Sequence, residues 1–165
     1  MTVMKIVVLS DSHTTSIDGL PRKIIDEISG ADLTIHAGDY TEKRLVDDLR
    51  GLCDFKGVYG NRDSPEIRRE LPALEVVEAG GFHIGVSHPA EGGPPFGITT
   101  RVTAKLPKVE MVVFGHTHRP RNGRKRGVLY FNPGSATGRF PALRMTFGVI
   151  TVGDEIRAKV LRADP

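Results

Sequence analysis

VVFGHTHRP (112–120) opens as an apolar run, passes through one glycine and ends in His116 and His118, with a threonine between them. An apolar run without alternation reads as a strand covered on both faces. Two imidazoles just past its end then sit at a strand-to-loop junction, where open α/β sheets carry their ligand sites.

Other segments repeat the pattern. KIVVLS (5–10) is followed by Asp11 and His13, and DLTIHAGD (32–39) ends in Asp39. FKGVYGNRD (55–63) runs into Asn61, Arg62 and Asp63. LEVVEAGGFHIGVSH (74–88) predicts a hairpin turning at Gly80–Gly81 and ending in His88.

Helical patterns separate these strands. Leu20, Ile24, Ile25 and Ile28 share a face, with Pro21 in the first turn and Gly30 as a stop. In TEKRLVDDLRG (41–51), Thr41 is the expected cap, Leu45, Val46 and Leu49 face inward, and Gly51 is the expected end. Ser64 and Pro65 start a short helix, and Ile98, Val102 and Leu106 predict another over 97–106. VLYFN (128–132), RMTFGVITV (144–152) and EIRAKVL (155–161) are strands, the last two joined at Gly153–Asp154. Strand–helix alternation followed by strands predicts one α/β domain over 1–165, with two packed sheets and helices outside.

Composition excludes several classes. Of 165 residues, 39% are apolar and 26% charged, an ordinary globular balance. Basic residues exceed acidic ones by 23 to 20, and a net charge of +3 does not by itself imply a nucleic-acid or membrane partner. No apolar run approaches the roughly 20 residues of a bilayer span, and the amino terminus has no signal-peptide shape. Cys53, the one cysteine, excludes an internal disulfide and a thiolate metal site, and reads as a small buried hydrophobe. These features lead to the expectation of a cytoplasmic protein.

The junction residues form a donor set of two carboxylates, one amide and four imidazoles: Asp11, Asp39, Asn61, His13, His88, His116 and His118. Mixed oxygen and nitrogen donors suit manganese, iron, cobalt, nickel or zinc better than magnesium or calcium. Seven donors exceed the needs of one tetrahedral ion, and two ions sharing a carboxylate account for them. Two divalent ions, two carboxylates and one bridging hydroxide leave a single positive charge, which a phosphodiester monoanion neutralises. Metal pairs about 3.5–4 Å apart catalyse in-line displacements on such esters. Gly38, Gly60 and Gly115 each precede a proposed ligand, where the absence of Cβ permits a sharp turn through unusual dihedrals.

The blocks DSH (11–13), GD (38–39), GN (60–61), SH (87–88) and GHTH (115–118), in that order, resemble the calcineurin-like metallophosphoesterases. The short length and NPGS (132–135) resemble the small bacterial and archaeal phosphodiesterases of the YfcE type. The resemblance covers nearly the whole chain and implies a four-layer α/β/β/α sandwich with a dinuclear centre. Carried over by motif, Asp11, His13 and His118 hold the first metal, Asn61, His88 and His116 hold the second, and Asp39 bridges. It further implies a phosphodiester substrate and manganese or nickel as the metal, manganese foremost; the donor set also suits iron, cobalt and zinc, and the basic segment 119–127 makes a nucleotide a candidate substrate. Two other readings belong to the same fold: a phosphomonoesterase, and a non-catalytic interaction scaffold like the eukaryotic retromer sorting subunit.

Two positions depart from the family pattern. After GN, many relatives carry His or Cys, whereas this chain has Arg62 and then Asp63. With Asn61 these are the candidate catalytic residues. Arg62 can hold phosphate but is a poor proton donor, and Asp63 either orients a ligand or caps the turn before Ser64. Small relatives often have THG where this chain has SHP, and Pro89 is expected to stiffen the loop and disturb His88.

His36 is expected to play a supporting structural role, and His83 to face solvent. RPRNGRKRG (119–127) reads first as a solvated hairpin tip turning at Asn122–Gly123, and second as an anion-holding rim. No aromatic residues interleave its basic ones to stack on bases. Nucleic-acid substrates and a homo-oligomer are both compatible with the sequence.

Overall fold

A computed structural model describes residues 2–165, and among these ten strands form two five-stranded sheets. In the first sheet, β1 (Met4–Leu9), β2 (Leu33–His36) and β3 (Phe55–Gly57) run parallel. β9 (Thr146–Val152) and β10 (Ile156–Arg162) continue it antiparallel, in the order β10-β9-β1-β2-β3. The second sheet has the order β4-β5-β6-β8-β7, built from β4 (Leu74–Ala79), β5 (Phe82–Ser87), β6 (Met111–Phe114), β7 (Arg121–Lys125) and β8 (Val128–Asn132). Its strands β5, β6 and β8 are mutually parallel.

Alternate side chains of the apolar runs face opposite layers. Ile6 and Val8 of β1 join Val86, Met111, Val113 and Phe131 between the sheets. Val7 and Leu9 instead pack with Ile24 and Ile28 of α1 (Arg22–Ser29) and Leu45 and Leu49 of α2 (Lys43–Leu52). On the far side, Val112 and Phe114 pack with Ile98 and Val102 of α4 (Ile98–Thr103). The result is the expected α/β/β/α sandwich. Burial on both faces explains why β1 and β6 do not alternate in hydropathy, and each such aliphatic side chain contributes about 1.5–3 kcal/mol.

Several local expectations are corrected. Thr41 does not cap α2: it takes φ +111°, its N–H points to Asp63, and Glu42 occupies the cap position without a side-chain bond. Gly51 lies inside α2, which ends only when Cys53 turns extended and donates its N–H to Leu49 O. Pro21 precedes α1 rather than standing in its first turn. α4 is shorter than 97–106. Cys53 is half-buried, not buried.

The basic hairpin turns at Arg126–Gly127, both at positive φ, and not at Asn122–Gly123. The register that puts Leu129 and Phe131 into the core requires 121–125 as the partner strand. Asn122 lies within that strand and donates its amide to Ala158 O of β10, 2.8 Å away. By contrast, Gly80 and Gly81 both take positive φ and make the β4–β5 turn as expected. Among the described residues no helix is long and apolar enough to cross a membrane.

Candidate metal centre

The parallel strands of both sheets end on one side of the sandwich. Asp11 and His13 follow β1, Asp39 follows β2, Asn61 follows β3, His88 follows β5, and His116 and His118 follow β6. Atoms of Asp11, His13, Asp39 and His118 lie within 4.8 Å of one another. His13 Nε2 is 3.2 Å from His118 Nε2 and 3.6 Å from Asp39 Oδ2, and His118 Nε2 is 3.4 Å from Asp11 Oδ1.

The other three proposed ligands form an adjoining group. Asn61 Oδ1 is 2.9 Å from His88 Nε2 and 3.2 Å from His116 Nδ1. Asp39 Oδ2, already close to His13, is also 3.5 Å from His88 Nε2. Pro89 does not displace His88, which reaches both Asp39 and Asn61.

Three imidazoles are aimed by the same device. His88 Nδ1–H donates to Ala37 O at 2.7 Å, His118 Nδ1–H to Arg139 O at 2.8 Å, and His116 Nε2–H to Gly93 O at 2.7 Å. A carbonyl can only accept, so the opposite nitrogen of each neutral ring presents a lone pair. Those lone pairs face carboxylate, amide and imidazole acceptors. Acceptors converging on acceptors suit a shared cation, and a ring fixed through its second nitrogen is the usual setting of a histidine metal ligand. The donor set therefore fits divalent metal ions.

Backbone strain concentrates on the same residues. Asp11, His13, Asp39, His116 and His118 all take left-handed φ, between +42° and +85°. Such conformations cost roughly 1–3 kcal/mol each outside glycine and persist where the surroundings over-determine them. Around Asp11 the loop that begins with NPGS supplies the restraint: Ser135 Oγ donates to Asp11 O (2.7 Å), Thr137 Oγ1 to Ser12 O (2.6 Å), and Ala136 N–H to Ser10 O (3.1 Å).

Of the three glycines, Gly38 does take φ +100°. Gly60 and Gly115 matter through space instead. A Cβ on Gly60 would collide with Asp39 Oδ1, and one on Gly115 would collide with Ser10 Oγ.

Electrostatics follow from burial and mutual proximity. Burial alone would raise Asp11, but the His118 bond, His88 and Ser10 outweigh it and hold the carboxyl below its usual range. Asp39 is raised, chiefly by burial and against the pull of His88. Burial pulls His13 down to about 4. Burial also pulls on His118, but without a cation between them the Asp11 carboxylate draws a proton onto the ring and lifts it.

Arg62 lines the cavity over the donors, and its backbone N–H donates to Asp39 Oδ1 at 2.9 Å. Asp63 does not reach that cavity. Its buried carboxylate accepts backbone N–H groups from Asp39 (2.9 Å), Tyr40 (2.7 Å) and Gly60 (2.8 Å), so it positions a ligand loop and is no candidate for chemistry. Ser64, not Asp63, caps α3 (Pro65–Glu70), accepting from Ile67 N–H. His36 accepts Gly38 N–H at Nδ1, pairs with Ser12 Oγ through Nε2 and stacks on Tyr40. His83 is exposed beside Glu110.

The cavity measures about 350 Å³ and is also lined by Arg139, Phe140 and Pro141, which the sequence reading did not single out. The only local signal is GRFP (138–141), an aromatic residue between arginine and proline soon after NPGS.

A four-layer sandwich with oxygen and nitrogen donors gathered beyond the parallel strands defines a metal-binding α/β class. Residues 4–155 match the calcineurin-like phosphoesterase superfamily domain, and the chain belongs to that superfamily. It is 35% identical over 161 residues to a probable metallophosphoesterase of Methanocaldococcus jannaschii, covering 96% of this chain and 81% of that one. Two solved structures share the fold. A novel archaeal phosphodiesterase superposes with a TM-score of 0.72 at 24% identity, covering 96% of this chain and all of the other. Vps29 from Entamoeba histolytica, solved with Zn²⁺, gives 0.73 at 22% identity, covering 98% and 100%.

Proposed function

We propose that this protein is a phosphodiesterase that works with two divalent transition-metal ions, manganese foremost. One observation carries the reading. Asp39 Oδ2 lies 3.6 Å from His13 Nε2 in one donor group and 3.5 Å from His88 Nε2 in the other, the position of a bridging carboxylate. Asp11, His13 and His118 complete one site, and Asn61, His88 and His116 the other. The phosphodiesterase named among the fold's relatives supports the same substrate class.

When bound, such ions supply Lewis acidity, neutralising phosphate oxygens and making a water acidic enough to lose its proton near neutral pH. The chain's own residues do the remaining work. Arg62 offers a forked guanidinium to a non-bridging phosphate oxygen, and a guanidinium is a poor proton donor to a leaving group. Asp63 holds Asp39 in place through the backbone. With one half-buried thiol and no disulfide partner, the protein suits the reducing cytoplasm.

Metal analysis with a paired ester assay tests the reading. The expected result is about two tightly held ions per chain and faster cleavage of bis(p-nitrophenyl) phosphate than of p-nitrophenyl phosphate. Preference for the monoester would instead indicate a phosphomonoesterase. Absence of both metal and turnover would favour an interaction scaffold, the alternative that the Vps29 likeness raises.

A further inference from the structure

Phe140 is 88% exposed, yet it lines the same cavity as His13, Asp39, His116 and His118. A solitary exposed aromatic residue is unremarkable; this one stands over a polar donor cluster. Its place is fixed from both sides. Arg139 N–H donates to Ser135 Oγ (2.9 Å), Arg139 O accepts both His118 Nδ1–H (2.8 Å) and Ala142 N–H (2.9 Å), and Phe140 and Pro141 form the tip of that turn. The peptide that aims a proposed metal ligand thus also presents the aromatic ring.

Two guanidinium groups, Arg62 and Arg139, share the lining. Arginine both pairs with phosphate oxygens and stacks on flat π-systems. The cavity exceeds what a bare phosphate needs and falls in the range of small-ligand pockets. Across Pro141 and His118 it adjoins a second groove of about 590 Å³, lined further by Pro120 and by Leu143, itself 94% exposed. Charge beside the donors and apolar surface beyond them match a phosphodiester carrying a flat aromatic group.

Resting on the phosphodiesterase reading, we infer that Phe140 and Pro141 form a stacking subsite for an aromatic substituent of the diester, a nucleobase being the fitting group. Phe140 then sets specificity while the metal donors carry the reaction.

The test compares thymidine 5′-(p-nitrophenyl) phosphate with methyl p-nitrophenyl phosphate, esters that share a leaving group and differ in the retained substituent. Manganese-loaded protein is expected to prefer the nucleoside ester in kcat/KM. Phe140→Ala should reduce that preference about tenfold, as expected for loss of one stacking partner. Phe140→Tyr should keep it. Phe96→Ala, which removes a ring that is also exposed but outside the cavity lining, should leave it unchanged. Calorimetry gives a readout without turnover: adenosine 5′-monophosphate should bind more tightly than ribose 5-phosphate, with the difference lost in Phe140→Ala. Turnover with an unchanged preference in Phe140→Ala overturns the subsite. Absent turnover with a Phe140-dependent difference in binding overturns the phosphodiesterase reading and leaves the subsite standing, and absence of that difference removes the subsite as well.

Discussion

The Asp63 carboxylate accepts the backbone N–H of Asp39 at 2.9 Å, although the two residues lie on loops after different strands. With Gly60 and Tyr40 also bound, one buried side chain ties the loop carrying the bridging candidate to the loop carrying Asn61. Asp63→Asn replaces one acceptor oxygen with a donor that faces N–H groups. It should destabilise the fold by about 1.5–3 kcal/mol and weaken metal binding about tenfold or more. Thermal unfolding of the metal-free protein and manganese titration measure the two effects. Lost stability with unchanged metal affinity would show that Asp63 does not position Asp39.

His88 divides the two proposed sites. It contacts Asn61 and Asp39, whereas Asp11, His13, Asp39 and His118 form a complete group without it. His88→Ala should therefore lower metal content from about two ions per chain to about one, read by elemental analysis after dialysis. Unchanged stoichiometry would contradict the placement of His88 in the second site.

Legibility of this protein in its sequence followed the range of the interactions involved. The parallel strands and their terminal polar residues were readable because each combines a local apolar run with a local break. Asn122–Gly123 misled because turn propensity is local, whereas the register of β7 is set by Leu129 and Phe131 entering the core. Thr41 misled because Asp63, from the next strand's loop, draws its N–H away from a capping geometry. Gly60 and Gly115 were readable as necessary glycines but for the wrong reason, since the side chains they must clear come from loops distant in sequence. Arg139, Phe140 and Pro141 carry no periodicity, and only the fold of the NPGS loop brings them over the donors.

Arg62 follows Asn61 at the edge of the donor cluster, and a guanidinium is a poor proton donor. Without a better donor, the rate should depend strongly on the acidity of the departing alcohol. Aryl phosphodiesters should be cleaved much faster than dialkyl ones at saturating metal, and Arg62→His should narrow the gap. Equal wild-type rates on both ester types would refute the assigned role of Arg62.

Burial lowers the His36 imidazole from its ordinary 6.5 to about 3. The folded protein keeps it neutral while the unfolded chain takes up a proton below pH 6.5. Its contribution to stability is thus complete above that pH and is lost as pH falls toward 3. His13, lowered to about 4, acts in the same direction. Each such group adds up to about 1.4 kcal/mol per pH unit to the slope. In metal-free protein, urea unfolding between those limits should lose about one proton's worth of slope in His36→Gln. A slope unchanged by that substitution would mean that His36 titrates alike in both states.

Arg101 acts on the site from α4. Its guanidinium donates to Pro94 O at 2.7 Å and to Gly92 O, and it pairs with Glu91 at 3.4 Å. Between those two carbonyls lies Gly93, whose oxygen accepts His116 Nε2–H and aims Nδ1 at Asn61. Gly93 takes φ +98°, and a Cβ there would stand 2.7 Å from Arg101 Nη2, so loop and guanidinium fit closely. Arg101→Ala should release the loop and leave His116 without its orienting acceptor. Affinity for the second ion, proposed to bind at Asn61, His88 and His116, should fall about tenfold, the usual cost of losing a partner behind a ligand. The first ion, proposed to bind at Asp11, His13 and His118, should be little affected, because His118 leans on Arg139 O instead. Chelator competition in manganese resolves the two affinities: equal weakening of both would point to general loosening of the fold, and no change in either would show that His116 holds its aim without the Arg101 clamp.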